Sequence, residues 1–246
     1  MKTRLSVNVN KIATLRNARG GNIPNLYQFV KDIQKFGIYG VTVHPRPDER
    51  HITLKDTYEI SKIVKTNYNI EGYPDERFIK IISEIKPEQA TLVPDTHDVI
   101  TSDQGWDTVK NKSLLRDVIK NLKSFGTKVS VFINPELEFV EGAFDCGADR
   151  IELYTGDYSS EYLTDKSNSI KKYVNASLKA KKLGLDVNAG HDLNLENLKY
   201  FKSQIPFLFE VSIGHALISD ALFYGLENTV QMYLNEIEKG TNKIEN

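Results

Sequence analysis

The sequence predicts an α/β protein, a (β/α)8 TIM barrel with extra helices, and three observations support this fold class. Eight short runs rich in Val, Ile or Leu recur along the chain. Segments with helical periodicity lie between most of them, and alternating strands and helices favour parallel pairing, because parallel strands need a crossover connection. The chain has 246 residues, close to the usual length of one such barrel.

The elements follow in order along the chain. The apolar runs predict strands over residues 5–10, 40–45, 67–73, 89–94, 128–134, 149–155, 186–191 and 209–215. Proline, acidic residues and glycine stops place helices between them. We expect these helices near residues 25–36, 53–66, from 74 onward, 113–124 and 218–240, with a loop, a small extra helix and a longer helix between 155 and 184.

Composition limits the classes of protein that fit. Hydrophobic content is 40%, charged content is 26% and the net charge is −1, so the overall field gives no reason to expect a nucleic acid partner. No apolar run approaches the roughly 20 residues of a membrane span. The single cysteine, Cys146, rules out an intramolecular disulfide. We expect a cytoplasmic protein with one catalytic barrel domain over 1–240 and a polar C-terminal tail over 241–246.

Most predicted strands end in a residue that can do chemistry. In a (β/α)8 barrel the carboxyl ends of the strands converge on one mouth, where active sites are found. Histidines and glutamates far apart in sequence should therefore face one cavity. The polar residues at these ends are Asn8, Asn10, His44, Glu71, Glu152, His191 and His215.

The last two strands share a Gly-His step, in NAGHDL (188–193) and SIGHAL (212–217). Glycine lets a ligand approach the backbone closely, and a helix that starts there presents free N–H groups and a positive dipole end. Phosphate commonly binds at these strand ends in barrels. The pattern predicts phosphate binding, and the alternative is that Gly190 and Gly214 only form tight turns.

The loop after strand two, within residues 41–53, places His44, Arg46 and His51 close together, and prolines stiffen it by fixing φ. Arg46 suits bidentate contact with phosphate or carboxylate. A stiff loop loses little entropy when it orients a ligand. We therefore expect these three residues to contact substrate.

Two glutamates lie in otherwise apolar strands, Glu71 in NIEGY and Glu152 in RIELYT. Burial raises the pKa of a carboxyl group, which suits a general acid or base near neutral pH. A structural ion pair is the alternative for each.

The first strand and the segment after it, residues 6–21, are dense in polar side chains. Asn8 and Asn10 alternate with valines, which predicts that both share one face of a strand. Arg16 and Arg19 follow, and we interpret this segment as a flexible loop that could close over an anionic substrate.

Two other chemistries deserve weighing. The histidines and glutamates could hold a divalent metal ion, but neither His-x-His nor His-Glu-x-x-His spacing occurs. A Schiff base would need a lysine at a strand end, and Lys11 is the candidate. We expect neither a metal site nor a Schiff-base lysine.

Several motifs together resemble the pyridoxine 5′-phosphate synthase family. They are NKIATLRNARGG, VTVHPRPDERHI, NIEGY, LVPD, RIELYT, NAGHD, LNLENLK and SIGHALI, in the family's order from Leu5 to the closing helix. The resemblance implies a cofactor-free barrel enzyme of vitamin B6 biosynthesis, a transferase that condenses 1-deoxy-D-xylulose 5-phosphate with 3-amino-2-oxopropyl phosphate. Its products are pyridoxine 5′-phosphate, phosphate and water. The family also implies a homo-octamer.

The resemblance further implies roles for individual residues. His44 and Glu71 match general bases, His191 a general acid, and Glu152 the residue that stabilises the transition state. The matches to positions that hold the aminoketone phosphate are Asn8, Arg19, Asp192, Gly214 and His215. The matches to positions that hold the pentulose phosphate are Arg46, His51 and Thr101.

The chain departs from the common family pattern at two places. Asn10-Lys11 stands where many members have Asp-His, and Lys11 could still bind a phosphate oxygen. Asp192 stands where many have glycine, so we expect its backbone to serve the phosphate. Two alternatives stay open. A phosphosugar isomerase or aldolase could use the same barrel, because this fold hosts many chemistries. Asn10-Lys11 keeps open a phosphometabolite-binding barrel without catalysis.

Overall fold

The protein is described by a computed structural model that covers residues 2–95 and 104–241. Eight parallel strands close into a barrel in sequence order, β1 to β8, with β8 paired to β1. This confirms the predicted fold class and all eight predicted strands. The strands are β1 Arg4–Asn8, β2 Gly40–Val43, β3 Asn67–Gly72, β4 Gln89–Leu92, β5 Lys128–Ile133, β6 Arg150–Tyr154, β7 Asp186–Gly190 and β8 Glu210–Ile213.

Helices connect the strands on the outside of the barrel, as parallel pairing requires. They are α1 Asn10–Asn17, α2 Leu26–Ile33, α3 Leu54–Ser61, α4 Glu76–Ile85, α5 Lys112–Ser124, α6 Leu137–Asp145, α7 Gly156–Glu161, α8 Lys166–Ser169, α9 Lys171–Leu183, α10 Leu198–Gln204, α11 His215–Tyr224 and α12 Leu226–Thr241. A short 3-10 turn, Gln34–Phe36, follows α2. None of the helices in the described part of the chain is long and apolar enough to cross a membrane.

Local sequence explains where several helices begin and end. Thr53 and Asp56 form a capping box at the start of α3, and Asp75 caps α4 through the Phe78 amide. Gly184, in the left-handed region, ends α9. The prediction that the second helix extends to residue 66 was wrong, because α3 ends at Ser61.

Two further predictions of regular structure need correction. The first strand stops at Asn8, and Asn10 begins α1, so Asn8 and Asn10 do not alternate along one strand face. Residues 10–17 of the segment interpreted as a loop are helical, and Arg19 follows in a turn. The closing segment forms two helices, α11 and α12, because Gly225 adopts a positive φ of 78° between them. Thr241, the first residue of the predicted tail, belongs to α12, and residues 242–246 lie outside the described residues.

The strands bury apolar side chains on their outer face and polar side chains inside the barrel. Val41 and Val43 on β2 are fully buried and belong to the core that packs under the helices. Between them, Thr42 accepts a hydrogen bond from Ser212 on β8, at 3.3 Å, although β1 lies between these strands. These side chains must therefore cross the interior. Bulky branched residues usually fill this space, so the polar interior is distinctive and carries the site's acidic groups.

Candidate active site

One cavity of about 390 Å³ opens at the carboxyl ends of the strands. Its lining includes every predicted site residue in the described ranges except Arg19, and Thr101 lies outside those ranges. Segments distant in sequence meet here because the barrel closes β8 against β1. The predicted residues around this cavity are Asn8, Asn10, Lys11, His44, Arg46, His51, Glu71, Glu152, His191, Asp192, Gly214 and His215.

The two exceptions differ in kind. Arg19 lies exposed in the turn after α1 and is not among the residues that line the cavity. Thr101 belongs to residues 96–103, which lie outside the described residues. Their predicted contacts with substrate phosphates stay predictions.

Several residues of this site were not predicted from the sequence. Glu210 and Ser212 lie on the face of β8 that points into the barrel. The alternation of apolar and polar residues in FEVSIGH could have predicted this position for both. Arg50 lies on the already suspected loop after β2. The lining residues that were not assigned a role are Thr14, Arg50, Leu193, Ser212, Ile213 and Ala216.

A chain of hydrogen bonds joins the end of β1 to the residues after β2. Asn8 Oδ1 accepts from the backbone amide of Asn10 at 3.0 Å, and Asn10 Oδ1 accepts from that of His44 at 3.0 Å. Asn8 Nδ2 donates to Glu71 Oε2 at 3.4 Å. The two asparagines therefore fix the positions of His44 and Glu71 relative to each other, although they do not share a strand face.

His44 and Glu71 face each other, with Nδ1 and Oε2 3.9 Å apart. Burial, followed by the positive charge of Arg46, holds the pKa of His44 well below its ordinary value. Burial, followed by the negative charges of Glu152 and Asp95, raises the pKa of Glu71 well above its ordinary value. Burial thus favours an unprotonated imidazole on His44 and a protonated carboxyl on Glu71. His44 can accept a proton, and Glu71 holds one that it can exchange.

Glu152 lies deeper, on β6, and is 4% exposed. Burial and the nearby carboxyl of Glu210 raise its pKa to about 8. Burial also raises the pKa of Glu210. The strand register places Glu152, Asn188 and Glu210 in one row on neighbouring strands, which explains why the two acids interact. A carboxyl that keeps its proton near pH 7 can donate a hydrogen bond to a developing negative charge.

The loop after β2 supplies cationic and imidazole groups at the rim. Arg46 forms an ion pair with Asp95, the residue of the LVPD motif, and both side chains are buried. His51 Nδ1 accepts from the backbone amide of Ile52 at 2.9 Å, which leaves the ring proton on Nε2. Burial and the charge of Arg46 lower the pKa of His51 to about 4. His51 is thus a neutral hydrogen-bond donor at pH 7.

Arg16 does not belong to the site, contrary to the expectation of an arginine-bearing closing loop. Its guanidinium donates to both oxygens of Asp56, at 2.6 and 2.7 Å, and this pair is buried between α1 and α3. A bidentate buried pair fixes a helix in place. Arg16 therefore anchors α1 to the barrel.

Glycine at the two Gly-His steps is not required by a left-handed turn, since neither Gly190 nor Gly214 has a positive φ. Close contacts with neighbouring side chains explain it instead. A Cβ atom on Gly190 would lie 2.5 Å from Glu152 Oε1, and one on Gly214 would lie 3.0 Å from the Asn8 Cβ. Glycine at these positions leaves room for two side chains of the site. Gly214 also precedes α11, whose first turn has no side-chain cap.

In the described ranges, no group of three or more His, Cys, Asp or Glu side chains is placed to hold a metal ion. Proton transfer and anion binding remain the chemistry that these side chains can perform together. Lys11 lines the same cavity, near the rim formed by α1.

Comparison with solved structures supports the fold. A 3-keto-L-gulonate-6-phosphate decarboxylase from Vibrio cholerae matches with a TM-score of 0.66 and 10% identity, over 97% of this chain and 99% of that chain. A structure named KGPDC from Streptococcus mutans matches with a TM-score of 0.68 and 8% identity, over 97% and 99%. At these identities the likeness concerns the barrel alone.

Comparison with protein sequences is more specific. A pyridoxine 5′-phosphate synthase from Cytophaga hutchinsonii is 57% identical over 96% of this chain and 100% of its own length. One from Porphyromonas gingivalis is 53% identical over 96% and 99%. The family model described as "Pyridoxal phosphate biosynthesis protein PdxJ" matches residues 5–239. The resemblance seen in the motifs is confirmed, and the chain belongs to this pyridoxal phosphate biosynthesis family.

Proposed function

We propose that the chain is a transferase that joins 1-deoxy-D-xylulose 5-phosphate to 3-amino-2-oxopropyl phosphate and closes the ring of pyridoxine 5′-phosphate, releasing phosphate and water. The observation that carries this proposal is the gathering of His44, Glu71, Glu152 and His191 around one cavity. Imine formation, enolisation and dehydration need proton transfer on several sides of a small molecule. Relatives more than half identical over nearly their full length bear the corresponding name.

His44 and Glu71 serve as general bases in this proposal. The lowered pKa of His44 supports its role, because the imidazole is unprotonated at neutral pH. The raised pKa of Glu71 favours the protonated form of its carboxyl. A substrate ammonium beside it would favour its ionised form. Glu71 would then become a base only when the amine substrate is bound.

His191 acts as the general acid, and Glu152 stabilises negative charge in the transition state. Phe132 and Tyr154 flank the His191 ring, with centroids 5.6 and 5.5 Å away, which supports a fixed direction for its proton. Glu152 has a pKa of about 8, so its protonated carboxyl can donate a hydrogen bond to this negative charge rather than repel it.

Two anion subsites accompany these groups. The aminoketone phosphate would bind where the backbone at Asp192 meets the uncapped first turn of α11, with Asn8, Gly214 and His215. Arg19 is exposed in the turn between α1 and α2, so it would contact this phosphate only if that turn moved toward the cavity. The pentulose phosphate would bind to Arg46, His51 and Thr101, and the ammonium of Lys11 with the neighbouring Asn10 replaces the family's Asp-His at that end.

Assembly and location extend the proposal. We expect a cytoplasmic homo-octamer, which rests on the family resemblance. Large apolar side chains in solvent, such as Leu222 and Phe223 at 73% and 84% exposure, support burial against another copy. No metal or organic cofactor is expected. Size-exclusion chromatography with light scattering measures the number of subunits.

The direct test is product formation. The purified chain is incubated with both substrates, and pyridoxine 5′-phosphate is measured by chromatography with fluorescence detection. An isomerase or aldolase would instead convert one phosphosugar alone, and a binding barrel would form no product. Failure to form product, where the Cytophaga hutchinsonii relative forms it, would reject the proposed function.

A variant addresses the proposed base. Glu71→Gln keeps the shape of the side chain and removes the proton exchange, so we expect turnover to fall at least a hundredfold while both substrates still bind. Calorimetric titration measures binding, and Glu59→Gln, at a residue of α3 outside the cavity, serves as control. Turnover that survives in Glu71→Gln means that Glu71 is not the base.

A further inference from the structure

The backbone carbonyls of the last residue of β7 and of the two residues after it lie within hydrogen-bond distance of side chains from other segments. The Thr155 hydroxyl lies within hydrogen-bond distance of the carbonyl oxygens of Gly190, at 2.6 Å, and of His191. The carbonyl oxygen of Asp192 accepts from Ser159 Oγ at 3.0 Å and from Asn197 Nδ2 at 3.1 Å. We call Thr155, Ser159 and Asn197 the carbonyl clamp.

The backbone held by the clamp is in an unfavourable conformation. His191 and Asp192 have φ angles of 78° and 53°, in the left-handed region that favours glycine. Two adjacent residues of this kind persist only when surrounding contacts determine them, and such strain concentrates at functional sites. The clamp supplies those contacts, and Thr155 and Asn197 are themselves almost fully buried.

The clamp also determines where the opposite edge of each peptide group points. In a trans peptide the C=O of one residue and the N–H of the next point in opposite directions. With the carbonyls of His191 and Asp192 held toward α7, the amides of Asp192 and Leu193 point the other way. Both residues line the cavity, and their amides donate to no acceptor within the described ranges.

We propose that Thr155, Ser159 and Asn197 are positioning residues, which hold the turn at residues 190–193 so that the His191 ring and two backbone amides face the bound phosphate ester. This inference rests on the proposed function, which places the aminoketone phosphate beside Asp192. The clamp turns carbonyl oxygens away from the anion and presents donors to it, which is the arrangement of a backbone anion nest. It explains how a chain with an acidic residue at position 192 can still bind phosphate there.

Thr155 gives the sharpest pair of variants. Thr155→Val preserves the shape and removes the hydroxyl, whereas Thr155→Ser retains it. For Thr155→Val we expect a Kd for inorganic phosphate at least tenfold higher, measured by calorimetric titration, and a kcat at least tenfold lower. Thr155→Ser should stay within about threefold of the unmodified chain in both. If the hydroxyl only stabilised the fold, Thr155→Val would have a lower melting temperature. Its phosphate affinity and kcat would then be unchanged at temperatures well below that melting temperature.

Ser159 provides a second test that does not depend on the buried Thr155. Ser159→Ala removes the bond to the Asp192 carbonyl, whereas Ser160→Ala removes a bond to the Asp157 carbonyl within the same segment. We expect a threefold or larger rise in the phosphate Kd for the first variant and none for the second.

The outcomes are separable from those of the proposed function. The clamp is supported if the unmodified chain binds phosphate and Thr155→Val or Ser159→Ala weakens this binding. This holds even if no pyridoxine 5′-phosphate is formed. Phosphate affinity and kcat within twofold of the unmodified chain in both variants would overturn the inference. So would an unmodified chain that binds no phosphate at millimolar concentration.

Discussion

Glu152 should make the protein less stable as the pH rises, and the effect is large enough to measure. Its pKa is about 8 in the folded chain, against an ordinary value of 4.5. A folded pKa above the unfolded one means that this contribution to stability is fully present below pH 4.5 and is lost as the pH rises through 8. At 1.36 kcal/mol per pH unit, the loss at pH 7 is about 3 kcal/mol.

Glu152→Gln removes this titration, so its free energy of unfolding should fall less steeply between pH 5 and 8. Comparing slopes rather than absolute stabilities removes any constant change in packing.

Urea unfolding followed by circular dichroism, at half-unit steps from pH 4.5 to 8, measures both slopes. Glu238→Gln, on the exposed side of α12, is the matched control and should retain the slope of the unmodified chain. The expected gain of Glu152→Gln relative to the unmodified chain is about 3 kcal/mol between pH 4.5 and 7. Parallel curves for the two proteins would refute the idea that burial keeps Glu152 protonated.

Three further predictions concern the frame of the site. Arg16→Met leaves the buried Asp56 carboxylate unpaired and should cost about 3–5 kcal/mol in urea unfolding; a loss below 1 kcal/mol would contradict the anchoring role. The pKa of His51 is about 4 in the folded chain, below its ordinary 6.5. Its contribution to stability is therefore present above pH 6.5 and is lost as the pH falls toward 4, so His51→Gln should reduce the loss of stability at acid pH by about 3 kcal/mol. An unchanged loss of stability at acid pH would count against a buried neutral ring. Gly214→Ala places a Cβ atom against Asn8 and should raise the KM for the aminoketone phosphate about tenfold at unchanged melting temperature, whereas an unchanged KM would show that the close approach is unimportant.

The strands and the composition of the cavity could be predicted from the sequence because both depend on local pattern. Val41 and Val43 alternate with Thr42, and a polar residue follows the strand at His44. Once eight such units are recognised, closure of the barrel brings their ends together without further information. For this reason His44, Glu71 and His191 could be assigned to one cavity.

Other features depend on contacts that local pattern does not contain. Asn10 continues the alternation of β1, yet the backbone leaves the extended region at Val9, with ψ of 7°, and starts a helix. The partner of Arg16 is 40 residues away in sequence, so a buried ion pair and a solvent-exposed loop arginine look alike. The influence of Glu210 on Glu152 arises from the lateral register of three strands.

The glycines illustrate a third kind of limit. The Gly-His steps could be recognised, but the reason for Gly190 lies in the carboxyl of Glu152, on the neighbouring strand. The same holds for the carbonyl clamp, whose members come from the start of α7 and the turn before α10. The positive φ of His191 cannot be predicted from its residue type, because tertiary contacts impose it.

The central claim is that a single cavity holds two phosphate esters with their reacting carbons between His44, Glu71 and His191. A crystal structure with unreactive analogues of both substrates tests it most directly. We expect one phosphate on the backbone amides around Asp192 and Gly214, and the other beside Arg46 and His51. Phosphates bound outside this cavity, or reacting carbons out of reach of all three side chains, would contradict it.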